Sequence, residues 1–160
     1  MTYTYRLAGE NLKLAEAELN GFLESQEIDE EAKRDGRLAE TKSEPDQLKR
    51  LALTHEVCRK KEETTLQELD TKIEVEGSFA VRCKVLEGEK DSAEIEDKLG
   101  EVLSTGENSV DLEDPEMEIY AYIQGEKIVL GELVQDINRG LFQARSNEKR
   151  PFSSPVSLDP

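Results

Sequence analysis

The stretch GSFAVRCKV, Gly77 to Val85, decides the fold. Phe79, Val81, Cys83 and Val85 alternate with Ala80, Arg82 and Lys84, and a period of two puts four apolar side chains on one strand face and two cations on the other. The strand pattern runs from Glu74 to Leu86, and Gly88 breaks it. A helix is predicted from Ser92 to Ser104. Asp91 is its cap, Glu94 stands three residues on, and Ile95, Leu99, Val102 and Leu103 form the buried stripe. Gly106 is the expected stop. Val110 to Leu112 reads as a short strand and EDPE, 113–116, as a turn. Met117, Ile119, Ala121 and Ile123 then alternate with Glu118, Tyr120 and Tyr122 as a half-buried strand, which QGEK, 124–127, turns back into IVL, 128–130, as a hairpin. Strand, helix, strand, strand implies a small mixed sheet with helices packed on one face, an α+β fold.

Upstream the signals are weaker. TYTYRLA, 2–8, reads as a strand with Tyr3, Tyr5 and Leu7 on one face, stopped by Gly9. In NLKLAEAELNGFLESQ, 11–26, helical spacing links Leu12, Ala15, Leu19, Phe22 and Leu23, with Asn11 as the cap. Glu27 to Gln47 is polar, and a loop with a weak edge strand near Leu38 is all it supports. Leu48 to Leu53 fits strand or helix, and Thr54 with Val57 and Cys58 reads as a helical turn. LQELDTKI, 66–73, reads as a short helical stretch. From Ile137 onward periodicity fades into three prolines and four serines, the composition of a linker. A chain that stops at SLDP on such a linker is expected to be a fragment.

Composition bounds the function classes. At 160 residues the chain holds one domain or two small ones. Apolar and charged residues each make up 36%, but the apolar ones are periodic, which favours a folded chain over a disordered one. No basic start leads into an apolar run, and no window nears the ~18 consecutive apolar residues of a membrane span, so a soluble, cytoplasmic chain without membrane contact is expected. Cys58 and Cys83 have no CxxC spacing and read as reduced core thiols. His55 lies near Cys58, but a zinc site needs three or four ligands and no others follow at suitable spacing. AGEN, EGEK and QGEK are isolated turns rather than phosphate loops, and no cofactor motif is present. The chain has no enzyme's equipment, and no cofactor is expected in it.

A formal net charge of -16, from 37 acids and 21 bases, ordinarily opposes nucleic-acid binding, because phosphate needs local positive potential. The acids are spread evenly, however, and two basic clusters interrupt them: RKK at 59–61, and 139–150, where four bases face one acid. Arg82 and Lys84 are ordinary solvent-facing strand residues on pattern alone. The helix starting at Ser92 adds unpaired amides nearby, an anion-binding feature that Asp91 opposes.

GSFAVRCKVL, then DSAEIEDKLGEVL, then VDLEDPEMEIYAYI, in that order, resemble a THUMP domain, the RNA-binding module of several tRNA-modifying enzymes. YRLAGENLKLAEAEL, RLALTHEVC and the closing INRGLFQAR and RPFSSPVSLDP resemble the N-terminal half of archaeal tRNA guanine-10 N2-methyltransferases. The resemblance implies a small ferredoxin-like N-terminal region, 1–63, a THUMP domain, 64–146, and a linker, 147–160, to an absent Rossmann-like methyltransferase domain that uses S-adenosylmethionine. It implies a chain that captures the 3′ CCA acceptor end of tRNA and positions guanosine 10 without methylating it. Arg82 and Lys84 match the basic strand residues of that pattern, Ser92 and Lys98 lie on the next helix, and Arg139, Arg145, Lys149 and Arg150 match the basic tail. Tyr120 or Tyr122 could stack on a base. The competing readings are a protein-docking domain with acidic faces and the THUMP module of another tRNA-modifying enzyme, such as a thiouridine synthase.

Overall fold

The structure, a computed structural model, describes residues 1–44, 46–68 and 73–137. Among the described residues eight strands form one sheet: β1 Tyr3–Leu7, β2 Lys33–Asp35, β3 Leu38–Thr41, β4 Thr54–Thr65, β5 Ser78–Glu87, β6 Ser109–Val110, β7 Met117–Gln124 and β8 Lys127–Asp136. Their order across the sheet is β2-β3-β1-β4-β8-β7-β5-β6. β5 runs parallel to β6 and β7, and every other pair is antiparallel, so the sheet is mixed. Two helices, α1 Leu12–Ser25 and α2 Ser92–Leu103, complete the α+β fold. No helix among the described residues is long and apolar enough to cross a membrane.

Both helices pack on the same sheet face. Ala15, Leu19, Phe22 and Leu23 of α1 meet Tyr3, Tyr5, Leu7 and Val57, while Ile95, Leu99 and Leu103 of α2 meet Phe79, Val81, Cys83, Ile119 and Ile123. Fully burying one such leucine contributes about 2 kcal/mol, so these stripes rather than intrinsic propensity hold the helices. Asn11 Oδ1 accepts from Leu14 N at 3.1 Å, and Asp91 Oδ1 accepts from Ala93 N at 3.0 Å. Both predicted caps are therefore formed. Val102, expected in the buried stripe, is 39% exposed because it falls on the outer side of α2. The helix ends at Leu103, before Gly106.

The largest departure from the sequence reading is β4. Thr54, Val57 and Cys58 belong to a 12-residue strand, not to a helical turn. Val57 and Cys58 are neighbours on opposite faces, Val57 toward α1 and Cys58 away from it, and both faces are covered; the alternation of β4 breaks where its pairing shifts register opposite Arg6/Leu7 and again between Lys60 and Glu62. A strand covered on both faces and twice bulged does not alternate. Glu27–Gln47 likewise holds two strands rather than one weak edge, and β6 stops at Val110, short of the expected Leu112. The LQELDTKI stretch appears as a 3₁₀ turn over Leu66–Glu68, and its residues 69–72 lie outside the described residues.

The face without helices is concave. Three strands separate β3 from β7, four strand spacings or roughly 19 Å in a flat sheet. Yet Gln124 at the end of β7 touches the β2–β3 turn, its Oε1 accepting from Arg37 N at 3.0 Å and its Nε2 donating to Asp35 O at 3.1 Å. Gly36 sits in that turn at φ +62, and an added Cβ there would strike Gln124. The concave face is filled by Leu38, Cys58, Tyr120, Tyr122 and Val129. Tyr120 and Tyr122, expected on the open face of a half-buried strand, are 7% and 0% exposed, because the curl folds the hairpin over them. Close packing extends to Gly131, where a Cβ would stand 2.8 Å from Cys58 Cβ.

A polar cluster sits in this concavity. Glu56 of β4 receives Arg6 Nε at 2.5 Å and Nη2 at 2.9 Å, and Tyr122 OH donates to Glu56 Oε2 at 2.7 Å. Replacing Glu56 with Ala is expected to lower the unfolding free energy by about 3 to 5 kcal/mol, since Arg6 then loses its counter-charge. Tyr122→Phe should cost only about 1 to 2 kcal/mol. Urea titrations followed by circular dichroism check the order, and a Glu56→Ala loss no larger than that of Tyr122→Phe contradicts it.

Candidate nucleic-acid interface

The strand that opened the sequence reading carries its two cations into different circumstances. Arg82 is engaged: Nε lies 3.4 Å from Glu118 Oε1 on β7, and Nη2 donates to Leu112 O at 3.0 Å, tying the segment after β6 to the sheet edge. Two residues on, Lys84 stands in register with Tyr122 and makes no ion pair among the described residues. Lys84 is the strand cation with an uncommitted charge.

Beyond Lys84, Gly88 at φ +99 turns the chain toward α2. Ser92 is the first helical residue, and Asp91 before it accepts from Ala93 N at 3.0 Å and Glu94 N at 3.4 Å. A carboxylate therefore occupies the helix's leading amides, and a phosphate there would meet negative charge rather than open donors. Lys98 lies 3.6 Å from Glu94 on the exposed side of α2. Arg139, Arg145, Lys149 and Arg150 fall outside the described residues. The structure thus places Arg82 and Lys84 on one strand face and Ser92 on the helix that follows, and it pairs Lys98 within α2.

The RKK cluster is neutralised. Arg59 Nη1 and Lys61 Nζ lie 3.9 and 3.5 Å from Glu132 Oε1, and Lys60 Nζ lies 2.8 Å from Glu40 and 3.3 Å from Glu63. Other cations gather at the end of the sheet where β5 and β7 finish. Lys90 reaches Glu126 at 3.2 Å, Lys127 pairs with Asp35, and Arg37 sits beside Gln124. The EGEK and QGEK turns carry two of these lysines, so the signal was in the sequence, but only the curl of the sheet brings β2 and β3 beside them. A pocket of about 200 Å3 under this hairpin, lined by Lys33, Arg34, Asp35, Glu40, Glu63 and Lys127, is balanced in charge.

Both thiols are buried and unbridged. Burial pushes Cys58 up to about 12 despite its 3.3 Å contact with Tyr122 OH, and burial pushes Cys83 up to about 12 with Glu96 adding to it. Neither is a nucleophile near neutral pH. No group of three or more His, Cys, Asp and Glu side chains among the described residues could hold a metal ion.

Residues 61–131 match the THUMP domain model. The chain carries a THUMP domain. The chain is 30% identical, over 167 residues, to a tRNA (guanine(10)-N2)-dimethyltransferase of Methanothermobacter thermautotrophicus, an alignment covering 96% of this chain and 50% of that protein. This chain thus spans about half the length of that curated relative. Among solved structures, TrmN from Thermus thermophilus superposes with a TM-score of 0.61 at 22% identity, over 90% of this chain and 49% of that one. A 4-thiouridine synthetase, solved as an RNA complex with bound ATP, gives 0.51 at 18% identity, over 82% and 40%. At these identities the likeness is one of fold.

Native protein treated with iodoacetamide at pH 8 should retain both thiols unmodified, and denatured protein should lose both within the same period. Mass spectrometry reads the difference, and rapid alkylation of Cys58 in the native state would contradict its placement in the concave core.

Proposed function

We propose that this chain binds tRNA through its THUMP unit, at the end of the sheet where β5, β7 and the start of α2 meet. The observation that carries the reading is the THUMP match over 61–131, within a chain alignable along nearly its whole length to a tRNA guanine-10 dimethyltransferase. Lys84 supports it as the unpaired cation of β5, on the face opposite the helices. In this reading Lys84 meets a phosphate directly. Arg82 contributes after exchanging part of its contact with Glu118, and Ser92 offers a hydroxyl at the head of α2. Lys98, Arg139, Arg145, Lys149 and Arg150 complete the proposed phosphate contacts. The finer proposal is capture of the single-stranded 3′ CCA end, so that a Rossmann-like, S-adenosylmethionine-dependent domain can act on guanosine 10. Single-stranded RNA ends are recognised by backbone and base-edge hydrogen bonds as well as by stacking. With Tyr122 fully buried and Tyr120 nearly so, hydrogen bonds and charge must carry the recognition here. The site of action is the cytoplasm, and the domain division at 63/64 and 146/147 stands as part of the same reading.

Titration with one tRNA, with and without its CCA end, at several salt concentrations tests this. Tighter binding of the intact tRNA is expected, and equal affinities overturn end capture. Lys84→Ala should weaken binding of different tRNAs alike and reduce the salt slope by about one, because phosphate contacts carry no sequence information. An unchanged slope removes Lys84 from the interface.

A further inference from the structure

On the opposite side of β5 from β7 the sheet is unfinished. β6 pairs only with Ser78 and Phe79, so from Val81 to Val85 the outer edge of β5 has no strand beside it among the described residues. One outward amide there is met by a side chain instead, Cys83 N donating to Glu96 Oε2 at 2.7 Å. Between this edge and α2 runs a groove of about 620 Å3 with Phe79 and Val81 as its floor. Val110 and Leu112 on its rim are 55% and 63% exposed. Asp97 and Glu101 line the α2 side and make no ion pair among the described residues. Gly100 lies between them on the same wall, and a Cβ there would meet no atom within 4 Å. A glycine inside a helix weakens it, and nothing in the fold requires this one.

These features favour one occupant. We propose that the groove is a docking site for an extended, cationic segment of a partner protein, which adds as a strand to the outer edge of β5 beside β6. The edge supplies main-chain partners for an extended backbone, with Glu96 yielding Cys83 N to it, and the exposed Val110 and Leu112 take apolar side chains, the usual division of labour in strand addition. Asp97 and Glu101 select lysine or arginine at the alternate positions and repel phosphate, so RNA does not fit this surface. Gly100 admits the occupant's backbone close to α2. The inference does not rest on the tRNA reading.

The test is a fluorescence titration of the full chain with a labelled heptapeptide alternating valine with lysine and arginine. Saturable binding is expected, roughly tenfold weaker for Gly100→Leu, whose side chain fills the groove, and for Glu101→Lys. Gly100→Leu should unfold at no lower temperature than the parent, since leucine favours the helix and meets open space, so lost binding cannot be lost folding. A peptide with the amides of one edge N-methylated should bind at least tenfold more weakly. Absence of saturable binding, equal affinity for the methylated peptide or for Gly100→Leu, or displacement of the peptide by tRNA would each overturn the proposal. Equal tRNA affinity of the parent and Gly100→Leu supports it.

Discussion

A carboxylate taken out of water must be answered by charge and hydrogen bonds, and the architecture turns on how that is done for Glu56. Glu56 lies on β4 at 3% exposure, and its two partners come from opposite sides of that strand in the sheet. Arg6 is on β1, directly beside β4, and Tyr122 is on β7, with β8 between. The three meet only if the sheet is curled, and the contacts of Gln124 with Asp35 and Arg37 show the same curl closing at its rim. The N-terminal strands and the THUMP strands are therefore joined twice, by the continuous ladder of β4 with β8 and by a buried network across the concavity. On the helical face the two apolar clusters stay separate, with Arg59, Lys61 and Glu132 between them.

What could be read from the sequence divides along physical lines. Elements that kept their period were legible: β5, β7 and both helices emerge from spacing within a few residues, and Asn11 and Asp91 cap where expected. β4 was not, because its alternation breaks where its pairing shifts register opposite Arg6/Leu7 and between Lys60 and Glu62, and because covering on both faces makes the neighbours Val57 and Cys58 both apolar. Burial was less legible than period: Tyr122 alternates like a surface residue although the curl buries it completely. Local pattern encodes which side chains share a face, but whether that face is covered is settled by residues far away, here Leu38 and the hairpin around Gly36. The candidate site follows the same rule. Arg82 and Lys84 look alike in sequence, and only the tertiary placement of Glu118 and Leu112 makes one of them engaged and the other not.

The acidity is less paradoxical once individual carboxylates are followed. Several act as fixed acceptors for backbone amides: Glu18 for Ala52 and Leu53, Glu30 for Lys42 and Ser43, Glu96 for Cys83. Others neutralise lysines and arginines, Glu132 serving both Arg59 and Lys61. At physiological salt, charges farther apart than about 8 Å are largely screened, so a phosphate feels its immediate neighbours far more than a net charge of -16. The proposed RNA contact then falls to a cation without an ion pair among the described residues, which is why Lys84 outranks the denser RKK cluster.

β5 separates two surfaces of opposite character. Its concave face carries Arg82 and Lys84, while its outer edge opens on a groove walled by Asp97 and Glu101. Arg82 belongs to both neighbourhoods, because the carbonyl it grips, Leu112 O, is on a residue that lines the groove. A segment added beside β6 that moved Leu112 would release one guanidinium donor on the cationic face, and an anion that drew Arg82 away would loosen the groove's rim. Any coupling through this contact has the same magnitude in both directions, since binding free energies around a closed cycle must agree. Its ceiling is the strength of one charge-assisted hydrogen bond, about 1.5 to 3 kcal/mol, enough to make occupancy of one surface sensitive to the other without making either depend on it.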